Sequence, residues 1–257
     1  MIQARIIPCL LLHRGGLVKT MCFKKPRYVG DPINAVKIFN EKEVDELILL
    51  DIDATVENRE PDYEMIEDIV SEAFMPVCYG GGIKTVDQMS RLFSLGVEKV
   101  SISSSAVKNP SLVKDASSHF GGQSVIVTLD VKKIGLLRRY SVVSHNANHN
   151  RGLDPVETAV RMEKMGAGEL VINSVDEDGR MQGYDENLVK LISAVLNIPV
   201  VALGGAGSLN DLLTVVKKSG ASAAAAGSLF VFKSVRRGVL INYPTQHELK
   251  KLFEVVV

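Results

Sequence analysis

The chain has 257 residues; 46% are hydrophobic, and 30 Lys and Arg balance 30 Asp and Glu. A neutral chain has no global field to steer nucleic acid or an anionic membrane, so neither is expected as a partner, and any anion must be held by local devices. There is no basic-then-apolar N-terminal signal and no apolar run long enough to span a bilayer. Cys9, Cys22 and Cys78 lack paired spacing, so reduced, mostly buried thiols and a cytoplasmic location are expected.

Taken in chain order, short β-branched or leucine-rich runs fall at residues 5–11, 46–51, 76–79, 99–102, 124–130, 169–172, 199–203 and 223–226. Amphipathic stretches separate them. "GDPINAVKIFNEK" offers Asp31 as a helix N-cap and Pro32 at the first helical position, and "LDPVETAVRMEKMG" repeats the device with Asp154 and Pro155 before ending on Gly166. "VDQMSRLFSLG" and "LNDLLTVVKKSG" end on Gly96 and Gly220. Eight strands alternating with helices predict a parallel sheet covered by helices, and this length predicts one closed (β/α)8 barrel over residues 1–257.

The chain also repeats itself. "GDPINAVKIFNEKEVDELILLDID" aligns with "LDPVETAVRMEKMGAGELVINSVD", placing Asp31 on Asp154, Glu46 on Glu169 and Asp53 on Asp176. "YGGGIKT" falls on "LGGAGSL", and "RIIPCLLL" on "SVIVTLDV", which sets Leu11 opposite Asp130. Half-barrels of about 1–122 and 123–257, related by a pseudo-twofold axis, are expected. One irregular segment, residues 132–151, follows the fifth strand and reads as a small hairpin or a lid at the barrel mouth. His145 and His149 within it read either as metal ligands or as part of a polar loop; without flanking carboxylates, no metal site is expected.

In such a barrel, chemistry belongs at the C-terminal strand ends. Two glycine clusters fall there, Gly80–Gly82 (with Gly81 and Gly82 at the turn) and Gly204–Gly207 (Gly204, Gly205), each before a helix. Ser103 and Ser104, and Gly227 and Ser228, end the next strands beside them. Glycines let backbone approach an oxyanion and helix N-termini offer free N–H groups, so the duplicated arrangement predicts two phosphate sites and an elongated, phosphorylated ligand. Lys19, and Lys24, Lys25 and Arg27 in a loop, supply cations; a plain solvated loop is the other reading of the latter three. Asp51, Asp130, Asp176 and Asp178 are candidate acid–base groups. Asp130 leads them, because it ends an otherwise apolar strand, whereas Asp51 and Asp53 are also readable as loop-ordering caps. Arg5, Glu46, Lys99 and Glu169 mark the starts of strands 1, 2, 4 and 6, and form either an exposed rim or an inward, paired ring.

"RIIPCL", "GDPINAVKIFNEKEVDEL", "GGGIKTVDQMSRLFSLGVEKVSI", "AVKNPSLV", "DEDGRMQGYD" and "GGAGSLNDL" resemble the cyclase (synthase) subunit of imidazole glycerol phosphate synthase over nearly the whole chain. The resemblance implies a cofactor-free half-barrel-repeat enzyme of histidine biosynthesis. It also implies a partner glutaminase on the N-terminal face and ammonia passing up the barrel to a doubly phosphorylated substrate. By the same resemblance, Lys19, Asp51, Gly82, Ser104, Asp178, Gly179, Gly205, Gly227 and Ser228 line the substrate site. Arg5, Glu46, Lys99 and Glu169 form the ammonia gate, and Asp130 is one of two catalytic aspartates. Position 11 should hold the other and holds Leu11; Ser103 and Leu203 stand where an asparagine and a serine are expected.

A broken catalytic pair beside an intact gate is similar to a side branch of the family that works with a third enzyme to amidate a bacterial surface sugar of lipopolysaccharide O-antigen type. That branch is the leading expectation. An ordinary cyclase of histidine biosynthesis and a non-catalytic scaffold that activates the glutaminase are the alternatives.

Overall fold

The computed structural model describes residues 4–233 and 237–254. Eight parallel strands close into a ring: β1 (Arg5–His13), β2 (Leu47–Asp51), β3 (Val77–Gly80), β4 (Lys99–Ile102), β5 (Val125–Ile134), β6 (Glu169–Ser174), β7 (Val200–Leu203) and β8 (Ala223–Ala226). Each pairs with its successor, and β8 pairs with β1. Helices α1 (Pro32–Glu41), α2 (Tyr63–Ser71), α3 (Val86–Ser94), α4 (Ser111–Phe120), α5 (Pro155–Lys164), α6 (Glu186–Ser193), α7 (Leu209–Ser219) and α8 (Gln246–Glu254) cover it. The expected (β/α)8 barrel is therefore the observed one. Asp31 and Asp154 cap α1 and α5 as their sequences predict, each followed by proline.

The period of two along each strand sorts the side chains. Ile6, Leu10 and Leu12 face the helices, while Ile7, Cys9 and Leu11 join an inner cluster with Ile48, Leu50, Cys78, Ile126, Val171 and Val201. The free thiols of Cys9 and Cys78 are thus barrel-interior hydrophobes.

β1 and β5 stand four strands apart in a ring of eight, so they oppose each other across the axis. Their registers match: Leu11 lies beside Leu50 of β2, and Asp130 beside Asn173 of β6. Both strands run past their expected ends and fold back. β1 turns at Arg14 and Gly15, and its return strand Gly16–Met21 sets Val18 beside Leu11. β5 turns over residues 135–138, and its return strand Arg139–Ser144 sets Val143 beside Asp130. Segment 132–151 is therefore a hairpin extended by a second turn at 145–148 and a short strand, His149–Asn150, paired back on Arg139–Ser144, and that second turn reaches the barrel mouth, so both expected features are present.

Residues 24–27 depart from expectation. They lie in a third antiparallel strand, Lys24–Gly30, paired with Gly16–Met21, and Lys24, Lys25 and Arg27 are exposed. The connecting turn uses Cys22 and Phe23, both at positive φ (50° and 62°). Non-glycine residues in such a turn give no sequence signal for a hairpin.

Candidate functional site

Two ends of one barrel carry the polar groups. At the N-terminal end, Arg5, Glu46, Lys99 and Glu169 form a closed ring of alternating charge. Arg5 pairs with both carboxylates, and Lys99 lies 2.8 Å from Glu46 and 3.4 Å from Glu169. Glu46 and Glu169 are 2% and 5% exposed. A buried charge is tolerable only when paired, and here every member has two partners. Burial opposes the charge on Arg5, but Glu169 and then Glu46 outweigh it and raise its pKa.

At the C-terminal end lies a cavity with about 1240 Å³ of open space, solvent at its rim included. It is lined by Leu11, Lys19, Asp51, Gly81, Gly82, Ser103, Ser104, Asp130, Asp178, Gly179, Gly204, Gly205, Gly227 and Ser228, so every expected mouth residue among these is brought together. Asp130 accepts from Asn173 Nδ2 at 2.9 Å and from Ser103 Oγ at 3.5 Å. Burial, with some help from Asp178, pushes its carboxyl up to about 7 against the opposing bonds from Asn173 and Ser103. Its counterpart Leu11 packs with Leu50, and neither side chain can exchange a proton.

The other carboxylates divide by their partners. Asp178 takes the Thr20 hydroxyl at 2.6 Å and the Phe23 N–H at 3.2 Å; burial still leaves its pKa raised. Asp51 accepts two bonds from Arg59 (2.7 and 2.9 Å) and the N–H groups of Asp53 and Ala54, so its carboxylate orders the β2 loop while it borders the cavity. Asp53 holds His13 and the Arg14 N–H, and Asp176 holds the Lys133 N–H. Asp53 is thus the loop-ordering cap its sequence suggested, and Asp176 leaves the acid–base set for the same kind of role. Lys19 is buried beneath Gly227, its ammonium bonded to the Cys9 carbonyl, and burial lowers its pKa. A Cβ at Gly227 would meet that ammonium and sit 3.0 Å from the Cys9 carbonyl oxygen, so a larger residue there would have to displace the Lys19 side chain.

The two glycine loops match each other. Gly81 and Gly82 (φ 125° and 71°) and Gly204 and Gly205 (φ 92° and 114°) all use backbone that favours glycine. The helix N-termini do not behave as expected. α3 and α7 are closed by capping boxes, Thr85 with Gln88 and Ser208 with Asp211, which occupy their own N–H groups. The short turns Ser104–Lys108 and Ser228–Val231 have no side-chain cap. Backbone N–H groups facing the cavity are therefore found at the glycines and these serine turns, with the Gly82 N–H also meeting Thr55 Oγ1 at 3.4 Å.

Lys24, Lys25 and Arg27 do not reach the cavity; Arg27 instead lies over the Phe232 ring. Sequence reading missed Arg59, which holds Asp51, and Asn173, Asn146 and Thr128, which line the cavity, Thr128 with its hydroxyl 2.6 Å from that of Ser101. Asn173 had a usable signal, since it aligns on Leu50 in the repeat; the reach of Asn146 across the mouth had none. His145 and His149 stack with centroids 4.5 Å apart, and among the described residues no group of three His, Cys, Asp or Glu could hold a metal. No helix among them is long and apolar enough to cross a membrane.

A family described as "Histidine biosynthesis protein" matches residues 5–236. A Pseudomonas aeruginosa protein provisionally named imidazole glycerol phosphate synthase subunit hisF2 is 51% identical over 97% of this chain and 99% of its own length. A Leptospira interrogans protein, provisionally named subunit HisF of the same synthase, is 47% identical over 98% and 100%. Imidazole glycerol phosphate synthase subunit HisF of Natranaerobius thermophilus is 40% identical over 95% and 96%.

Proposed function

We propose, from the premise that the chain belongs to the histidine biosynthesis protein family, that it is the synthase-type subunit of a glutamine amidotransferase and accepts ammonia from a glutaminase docked on its N-terminal face. The observation that carries this is the inward stripe of alternate residues. It runs from Arg5 through Ile7 and Cys9 to Leu11, and from Glu169 through Val171 to Asn173. The first stripe joins the charged ring to the mouth cavity over about 20 Å and the second over about 13 Å, at the rise of a β-strand. Ammonia is neutral and passes an apolar interior that ammonium would cross only at great cost. At the mouth, Gly82 with Ser104 and Gly205 with Ser228 would hold the two ends of a doubly phosphorylated ligand.

Two finer readings divide on specific observations. Leu11 favours a diverged paralog that passes ammonia to a third, sugar-amidating enzyme, because one side of the mouth has lost its strand-tip carboxylate. The intact pair of glycine loops, together with relatives named as subunits of the synthase, favours the cyclase of histidine biosynthesis. Ammonium-driven turnover of the histidine-pathway substrate separates them, alongside rescue on histidine-free medium of a strain lacking its own cyclase. The sugar reading expects no rescue, and turnover that appears only in Leu11→Asp. Rescue by the unmodified chain assigns the cyclase. Absence of any binding of that substrate removes the phosphate-site reading.

A further inference from the structure

The mouth is chemically lopsided. On the β5/β6 side Asp130 and Asn173 face the cavity; at the matching positions of β1 and β2 stand Leu11 and Leu50. The β5 hairpin crosses this gap. Past Ser144 its chain enters three successive non-glycine residues in left-handed backbone, His145, Asn146 and Ala147 (φ 54°, 55° and 61°). Such a run costs on the order of 1–2 kcal/mol per residue and persists where surrounding contacts impose it, commonly at functional sites. The contact here is across the mouth: Asn146 Nδ2 donates to the Ile52 carbonyl at 3.0 Å, and the Ile52 N–H is bonded to the Leu12 carbonyl. The turn at 145–148, between Arg139–Ser144 and the short strand His149–Asn150, is thereby pinned to the top of β1 and β2, and His145 lines the same cavity as Leu11 and Asp130.

The ring's tautomer follows from its neighbours. Arg151 donates to Ser144 Oγ at 2.7 Å and presents a second N–H to His145 Nδ1 at 3.5 Å, while Ser144 Oγ lies 3.1 Å from the same nitrogen. Arginine cannot accept, so the Nδ1 facing Arg151 is assigned as the acceptor and Nε2 as the protonated nitrogen. We infer that His145 is a catalytic hydrogen-bond donor, its Nε2–H stabilising negative charge that develops on a ligand oxygen above Leu11 and Leu50, with Asp130 as the proton acceptor opposite. Burial, His149 and Arg151 on the same hairpin, and Lys108 after β4 all lower the His145 pKa, which keeps the ring neutral and its donor in place. A neutral imidazole donor opposite a carboxylate base is a workable division of labour at neutral pH.

This rests on the proposed ligand at the mouth. The test uses the full chain with histidine rings labelled for NMR, the His145 signal assigned from His145→Gln, and the histidine-pathway substrate as probe, followed by ammonium-driven turnover. The His145 ring signal should shift on binding. His145→Leu should lower kcat about 100-fold, in the range for loss of one such donor. His145→Gln, which keeps an N–H, should recover most of it, with KM within about 2-fold in both. An unmoved ring in the bound protein, or a Leu variant within 2-fold of wild type, overturns the inference and leaves the ammonia-accepting function standing. Binding without turnover by the unmodified chain also overturns the catalytic role, whether or not the ring shifts. Failure to bind at all removes the phosphate-site reading and this inference with it, a result distinct from binding that bypasses His145.

Discussion

Asp130 and Leu11 occupy equivalent registers, yet only Asp130 responds to pH. Its carboxyl is pushed up from 3.8 to about 7, chiefly by burial. Between those values the folded chain keeps a proton that the unfolded chain releases, so this group's contribution to stability falls as pH rises through about 7. Asp130→Asn removes the titration. Thermal unfolding should find the variant gaining on wild type between pH 5 and pH 8, whereas a constant difference would mean that Asp130 has an ordinary carboxylate pKa. Turnover that uses ionised Asp130 should rise over the same interval, so stability and activity pull in opposite directions at this residue.

Among the elements, the glycine loops after β3 and β7 are the most demanding. At Gly205 the backbone is at φ 114° and a Cβ would strike the Gly183 carbonyl. Gly135, at the hairpin turn, also has positive φ (72°) but nothing within 4 Å of the added carbon. Gly205→Ala should cost roughly 2–3 kcal/mol, from strain of order 1–3 kcal/mol plus the clash. It should also reduce bound phosphate, measured calorimetrically, from two per chain to one. Gly135→Ala should be destabilised through φ alone and keep both. Two phosphates bound by Gly205→Ala would remove that loop from the anion site. The capping boxes of α3 and α7 sharpen the point, since they leave the glycines and serine turns as the available donors.

For the molecule as a whole, the charged ring and the cavity sit at opposite ends of one apolar interior. Lys99→Ala leaves Glu46 and Glu169 with Arg5 alone. Loss of a partner for a buried charge costs roughly 1–3 kcal/mol or somewhat more, so the variant should still fold. A glutaminase partner docked on the variant should hydrolyse glutamine at a partly retained rate while product formed from glutamine drops at least 10-fold. Product formed from added ammonium salt should be little changed. Parallel loss of glutamine hydrolysis and of both product-forming rates would point to a docking or folding defect and count against the gate.

The sequence by itself determined the eight strands, their order and the repeat, because the period of two, the Asp–Pro helix starts and the terminal glycines are local signals that do not depend on distant partners. It also placed Arg5, Glu46, Lys99 and Glu169 at strand starts, and the glycine loops, Asp130 and Leu11 at strand ends. Only the tertiary structure decided whether the four charges turn inward, since that depends on closure of the ring. It separated Asp51, Asp53 and Asp176, held by Arg59, His13 and the Lys133 N–H, from Asp130, which burial leaves free to titrate. It drew Lys24, Lys25 and Arg27 into a hairpin away from the cavity through a turn without glycine. And it carried His145 across the mouth, a placement fixed by one bond from Asn146 to Ile52, residues 94 positions apart, which no local pattern encodes.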